Sequence, residues 1–199
     1  HVQTAGVCLT AQQPQNNIVR ATVQSLAAIL GGTQSLHTCS LDEALALPTE
    51  ESVQLSLRTQ QVLAYESGVT ETVDPLGGSY YVEHLTNKLE EEAFRYIQKI
   101  ESLGGAVRAI EVGYTQKEIQ DASYKFQQEV ESGKRVIVGV NKFVGQQPPI
   151  KGLFRIDPEA TRRQVERLQE VRRTRDQRKV RECLAALDQA ARGAENTMP

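Results

Sequence analysis

Residues 14–38 read PQNNIVRATVQSLAAILGGTQSLHT, and this stretch decides the fold class. Ile18, Val19, Val23, Leu26, Ala27, Ile29 and Leu30 recur at helical spacing, Pro14 suits a first turn, and Gly31-Gly32 suits a stop. The spacing therefore predicts a helix with one buried face. Thr33 to Thr38, too short for a helix and closed by the polar Ser40-Leu41-Asp42-Glu43 turn, is expected to be a strand.

Further along, the same alternation continues. Pro48-Thr49-Glu50-Glu51 opens a second helix with acids in its first turn, expected to turn Val53, Leu57, Val62 and Leu63 inward and to end near Gly68. Val69 to Val73 is read as a strand, Asp74 to Gly78 as a tight loop, and Ser79 to Glu83 as continuing that strand or crossing a barrel mouth. Thr86 to Leu103 is expected to bury Leu89, Ala93, Phe94, Ile97 and Ile100 on a third helix. Helices and strands joined by connections of a few residues argue for an α/β fold with parallel strands, a barrel or a doubly wound sheet.

Beyond Gly105 the pattern changes. Ala106 to Val112 reads as a short helix, and Thr115-Gln116-Lys117-Glu118 as a capping box for a helix running to Gly133. Val136 to Val140 reads as an edge strand, Pro148-Pro149 as part of a linker, and Pro158 to Arg192 as one long arginine-rich helical tract. The apolar stripe of that tract, Val165, Leu168, Val171, Val180, Leu184 and Leu187, is thin, which suits a surface position or a reach toward a neighbour.

Composition excludes several classes. The 199 residues are 39% hydrophobic with a formal charge of -2, so no global charge recruits nucleic acid or an anionic membrane. No run approaches the roughly 20 apolar residues of a bilayer span, and the opening residues lack a signal peptide's charged and apolar regions, so a cytoplasmic setting is expected. Cys8, Cys39 and Cys183 are odd in number and widely spaced, which predicts reduced thiols and no metal site. The sequence opens without methionine inside a polar, glycine-containing run, which is read as a cut chain.

Candidate chemistry from residue types alone stays two-sided. His1-Val2-Gln3-Thr4-Ala5-Gly6 is either a strand end at a binding face or a polar loop, and His37 is either a base or a hydrogen-bonded strand residue. Asp42 and Glu43 are either working residues at a barrel's strand ends or ordinary capping acids. Gly77-Gly78 lacks the lysine and spacing of a phosphate loop and reads as a turn. The basic tract from Arg162 to Arg181 has interspersed acids and no interleaved aromatics, so a solvated helix face is preferred over an RNA or phosphate site.

Longer strings go beyond pattern. Gln3-Thr4-Ala5-Gly6, Leu9 to Pro14, Asn16-Asn17-Ile18-Val19-Arg20, Leu30 to Thr38, Asp42 to Thr49, Asp74 to Glu83 and Val138 to Lys142 together resemble the large subunit of the methylmalonyl-CoA mutase family, which includes isobutyryl-CoA and 2-hydroxyisobutyryl-CoA mutases. The likeness weakens after about Gly145. It implies the C-terminal part of a (β/α)8 TIM barrel in residues 1–145, followed by a linker and arginine-rich helical segment in 146–199. It further implies adenosylcobalamin as cofactor, an acyl-CoA substrate, and two polypeptide partners: the N-terminal half of the barrel and a cobalamin-binding domain or small subunit.

The implied activity is radical carbon-skeleton rearrangement of the methylmalonyl-CoA to succinyl-CoA type, with a hydroxyisobutyryl- or isobutyryl-CoA mutase, or a non-catalytic partner segment, as alternatives. By the same resemblance Gln3 and Gly6 line the cobalamin and adenosyl side, Glu43 binds the adenosyl ribose, and Ala44 and Ala46 pack on the corrin. Gln34 and His1 touch the acyl-CoA, and no residue of this segment is catalytic or binds metal. A carboxylate suits a ribose because it accepts from both hydroxyls. Three departures stand out: Cys39 in place of asparagine near the adenosyl group, Gln15 in place of tyrosine, and Val7 in place of the tryptophan of fused methylmalonyl enzymes, this last like the branch with a separate cobalamin subunit.

Overall fold

The computed structural model describes residues 1–146 and 152–198; the expected Pro148-Pro149 linker lies outside them. Strand β1 (Val2–Gln3) is followed by a 3-10 turn at Gly6–Cys8, helix α1 (Asn16–Leu30), strand β2 (Leu36–His37), and helices α2 (Glu50–Glu66), α3 (Tyr80–Ser102), α4 (Ala106–Glu111), α5 (Tyr114–Glu131), α6 (Pro158–Thr174) and α7 (Gln177–Arg192). The fold is mostly helical with one small parallel sheet. The chain divides into two compact units, His1–Phe154 and Arg155–Pro199.

In the first unit β1 and β2 pair in parallel, Val2 opposite Leu36 and Gln3 opposite His37, with α1 as the crossover. Backbone bonds extend the pairing at both ends, Val2 N–H to Ser35 O at 2.9 Å and Thr4 N–H to His37 O at 3.0 Å. Helix α1 packs on α2, and α2 also reaches the sheet, where Gln60 Nε2 donates to Leu36 O at 3.2 Å and Thr38 Oγ1 at 3.1 Å. The buried face of α1 is small and polar: Asn17, Ala21 and Ser25 are buried, and Ser25 Oγ meets Thr38 Oγ1 at 3.0 Å. Val19 and Val23, expected inside, are exposed.

The same correction applies to other helices. Leu63 of α2 is buried as expected, but Val53, Leu57 and Val62 are exposed, as are Leu89, Phe94 and Ile97 of α3. Each stripe has helical period, yet no second layer among the described residues covers it.

Two predicted strands are turns. Residues 69–73 are bounded by Gly68 at φ +73 and Asp74 at φ 47, left-handed conformations that end an extended run at both sides, and Val73 is exposed. At 136–140 Asn141 takes the place of a strand partner. Its Oδ1 accepts from Ile137 N–H at 2.8 Å, and its Nδ2 donates to Val130 O at 2.9 Å and Arg135 O at 2.7 Å, leaving only an isolated bridge between Val138 and Lys142. The turn is tied back to the N-terminal region by Arg20 NH2 on Val138 O at 2.8 Å and Gln13 Nε2 on Phe143 O at 2.9 Å.

Ser79 to Glu83 opens α3 instead of extending a strand. Ser79 Oγ accepts from Val82 N–H, and Glu83 Oε1 reaches back to Gly78 N–H at 2.8 Å. Helix α5 begins one residue before the predicted box, after Gly113 in the left-handed region, so Thr115 lies within the first turn and bonds Gln116.

In the second unit the single predicted tract is two helices. Asp157 caps α6 with Pro158 in the first turn, and Asp176 caps α7 by accepting from Arg178 N–H at 2.8 Å and Lys179 N–H at 3.1 Å. Arginines pair with acids one turn away along each helix, Arg162 with Glu159 and Glu166, Arg173 with Glu170, Arg192 with Asp188. Such pairing offsets part of the positive charge along each helix. Among the described residues, no helix is long and apolar enough to cross a membrane.

Candidate functional site

The residues of interest gather where the chain leaves β1 and β2. Thr4, directly after β1, is buried, and it ties down Cys39, the second residue past β2: Cys39 N–H donates to Thr4 Oγ1 at 2.9 Å, and Cys39 Sγ donates to Thr4 O at 3.2 Å. Gln3 Nε2 lies 3.8 Å from the same sulfur. Gly6 backs onto it too, since a Cβ there would stand 3.9 Å from Cys39 Sγ. Ala5 N–H is held by Gln24 Oε1 of α1 at 2.7 Å, which fixes how the first segment leaves its strand.

The loop after β2 is fixed from two sides. Below it, Asn17 is fully buried; its Nδ2 donates to Leu41 O and Thr10 O, both at 2.9 Å, and its Oδ1 accepts from Thr10 N–H at 3.0 Å and Arg20 NH1 at 2.7 Å. Beside it, buried Asp42 accepts from Thr49 N–H at 3.0 Å and Ser52 Oγ at 2.7 Å, at the N-terminus of α2 where the dipole favours an anion. Asp42 thus braces the start of α2, whose N-cap is Thr49, through Oδ2 alone, and among the described residues its buried Oδ1 has no partner.

Glu43 behaves differently. Its Oε1 accepts from Ser40 N–H at 2.6 Å, while among the described residues no donor reaches Oε2, and the side chain is half-buried. Ala44 is exposed and Ala46 half-buried, both in the turn that Asp42 O closes by accepting from Leu45 and Ala46 N–H. Gln3, Gly6, Cys39 and Glu43 therefore share one neighbourhood at the C-terminal ends of two parallel strands.

His1 and Gln34 lie elsewhere. His1 Nδ1 pairs with Ser35 Oγ at 2.8 Å at the opposite, N-terminal end of the two-stranded ribbon, and Gln34 is exposed beside it. Sequence reasoning overlooked the supporting residues Thr4, Asn17 and Gln24, whose roles depend on contacts across the unit that no periodicity reveals. It also passed over the pairing of His37 with Cys39. His37 closes β2 and Cys39 lies two residues on, past the strand's end, and the ligand atoms of His37, Cys39 and Glu43 all lie within 4.8 Å of one another.

What this neighbourhood offers a ligand is an amide on Gln3, a carboxylate oxygen open on Glu43, and small residues Gly6, Ala44 and Ala46 beside exposed Val7 and Leu47. Residues 1–199 match the family described as methylmalonyl-CoA mutase. The chain is 46% identical over 200 residues to a methylmalonyl-CoA mutase of Rhizobium meliloti (strain 1021), covering 100% of the chain and 28% of that relative. It is 43% identical over 201 residues to the 2-hydroxyisobutanoyl-CoA mutase large subunit of Aquincola tertiaricarbonis, 100% of the chain and 36% of the relative. With the mitochondrial methylmalonyl-CoA mutase of Homo sapiens it shares 41% over 199 residues, 100% of the chain and 26% of the relative. The chain thus spans about a quarter to a third of the length of these relatives.

Proposed function

Because this chain belongs to the methylmalonyl-CoA mutase family, we propose that it is a segment of the substrate-binding subunit of an adenosylcobalamin-dependent acyl-CoA mutase. In this reading residues 1–145 are the C-terminal part of a (β/α)8 barrel and 146–199 a linker and helical extension, and the working compartment is the cytoplasm. One observation carries it: a family match along all 199 residues, whose open polar groups collect at the C-terminal ends of parallel strands, the end at which barrel enzymes work.

Gln3, Gly6, Cys39, Glu43, Ala44 and Ala46 would hold the cofactor. When bound, adenosylcobalamin supplies the radical chemistry of the rearrangement. Glu43 Oε2 would accept from ribose hydroxyls while its other oxygen stays on Ser40 N–H, so the carboxylate is oriented before the ligand arrives. Gln3 offers a neutral amide. Gly6, Ala44 and Ala46, which carry little or no side chain, would let a ring approach the backbone closely. Cys39 carries a thiol hydrogen, but it is buried and donates that hydrogen to Thr4 O, which directs it into the protein and away from the open face. His1 and Gln34, at the other end of the ribbon, are assigned to the acyl-CoA.

Methylmalonyl-CoA is named first as substrate, with isobutyryl- and 2-hydroxyisobutyryl-CoA as alternatives. The test incubates the full-length protein with adenosylcobalamin and each thioester, with and without a separate cobalamin-binding subunit, and follows isomer formation by mass spectrometry. Conversion of one of them is expected. No conversion of any, also with Cys39→Asn, would leave only a non-catalytic partner role.

A further inference from the structure

We propose that His37, Cys39 and Glu43 form a three-ligand site for a divalent cation of the zinc class. An imidazole, a thiol and a carboxylate are the three ligand types zinc takes, and three protein ligands with a fourth position open is the arrangement of exchangeable zinc sites. A nitrogen and a sulfur among three donors select against magnesium and calcium, which prefer all-oxygen shells.

The supporting groups are already in place. Cys39 is fixed through its N–H on Thr4 Oγ1, and the Glu43 carboxylate is turned by Ser40 N–H. Gln3 Nε2, 3.8 Å from the sulfur, is a donor aimed at a thiolate. Such outer contacts orient ligands and raise metal affinity. With zinc bonds of about 2.0–2.3 Å, tetrahedral donors stand roughly 3.5 Å apart, so a trio spread over at most 4.8 Å closes by about 1 Å. Exposed His37 and half-buried Glu43 can turn through that distance while Cys39 stays.

Binding exchanges the sulfur-bound proton, now hydrogen-bonded to Thr4 O, for the metal; the proton passes to solvent, so affinity falls as pH falls. Because Glu43 and Cys39 also belong to the proposed cofactor site, metal and cofactor exclude each other. That clause rests on the proposed function; the metal site itself does not.

The test titrates Co2+ into the full-length, cofactor-free protein and follows the sulfur-to-cobalt charge-transfer band, with Zn2+ as competitor. Expected are a band in the wild type that Zn2+ displaces, its loss in Cys39→Ser, and a weakening of about tenfold or more in His37→Ala. Absence of the band, its persistence in Cys39→Ser, or an unchanged affinity in His37→Ala would each overturn the proposal. His37 is exposed, so that variant decides the matter even if Cys39→Ser fails to fold. Since no cobalamin is present, a negative result leaves the mutase reading standing, and a protein that binds Co2+ but not the cofactor fails only the mutase reading.

Discussion

Asn17 shows how one side chain sets the site's geometry. It is fully buried and joins Thr10, Leu41 and Arg20, and so holds the loop after β2 against α1. Asn17→Ala strips partners from the Thr10 and Leu41 carbonyls and is expected to lower stability by roughly 2–4 kcal/mol, because each buried group left unpaired costs about 1–3 kcal/mol; urea denaturation measures it, and a loss near zero would mean that the loop is held by other contacts. The Asn16-Asn17 string was legible as part of a family resemblance, but its task was not, since that task is defined by backbone groups 7 and 24 residues away. Asp42 and Glu43 make the same point. Adjacent in sequence and identical in charge, they divide into a buried acid bonded to the start of α2 and a half-buried acid with an oxygen open to a ligand, because α2 approaches from one side.

At the scale of elements, caps and apolar periodicity made most helices legible, whereas strand propensity misled at 69–73 and 136–140, where left-handed residues and the Asn141 side chain consume the extended conformation and its hydrogen bonds. Asp176 was the unread signal that divides α6 from α7. Asp176→Ala removes the acceptor for two N–H groups and should cost α7 about 1 kcal/mol, seen as lost helicity by circular dichroism; unchanged helicity would show that α7 is held by other means. Near the end of α5, Arg135 bonds Glu129 and holds its carboxyl below the usual carboxylate value. A carboxyl depressed on folding adds stability above its unfolded pKa and loses that contribution as pH falls through its folded value. An NMR titration should therefore place Glu129 below the ordinary glutamate range in the wild type and return it upward in Arg135→Ala; identical midpoints would rule the pairing out.

For the whole molecule the informative feature is apolar surface. Leu57, Leu89, Phe94 and Ile97 are exposed on helices whose stripes were read as buried, and Ile119, Tyr124 and Phe126 of α5 are exposed too, in a chain that spans 28% of one relative and 36% of another. Periodicity announces that a face will be covered but not by what, so this chain alone is expected to self-associate or bind a hydrophobic dye; a monodisperse, dye-free monomer by sedimentation would contradict that. The claim on which the rest depends is that the ends of β1 and β2 hold the cofactor through Glu43. Titration of adenosylcobalamin into the full-length protein, followed by visible absorbance, tests it most directly with Glu43→Gln, which keeps an acceptor for Ser40 N–H. Saturable binding weakened about tenfold, the equivalent of about 1.4 kcal/mol, is predicted for the variant; equal affinity of wild type and variant would contradict the account.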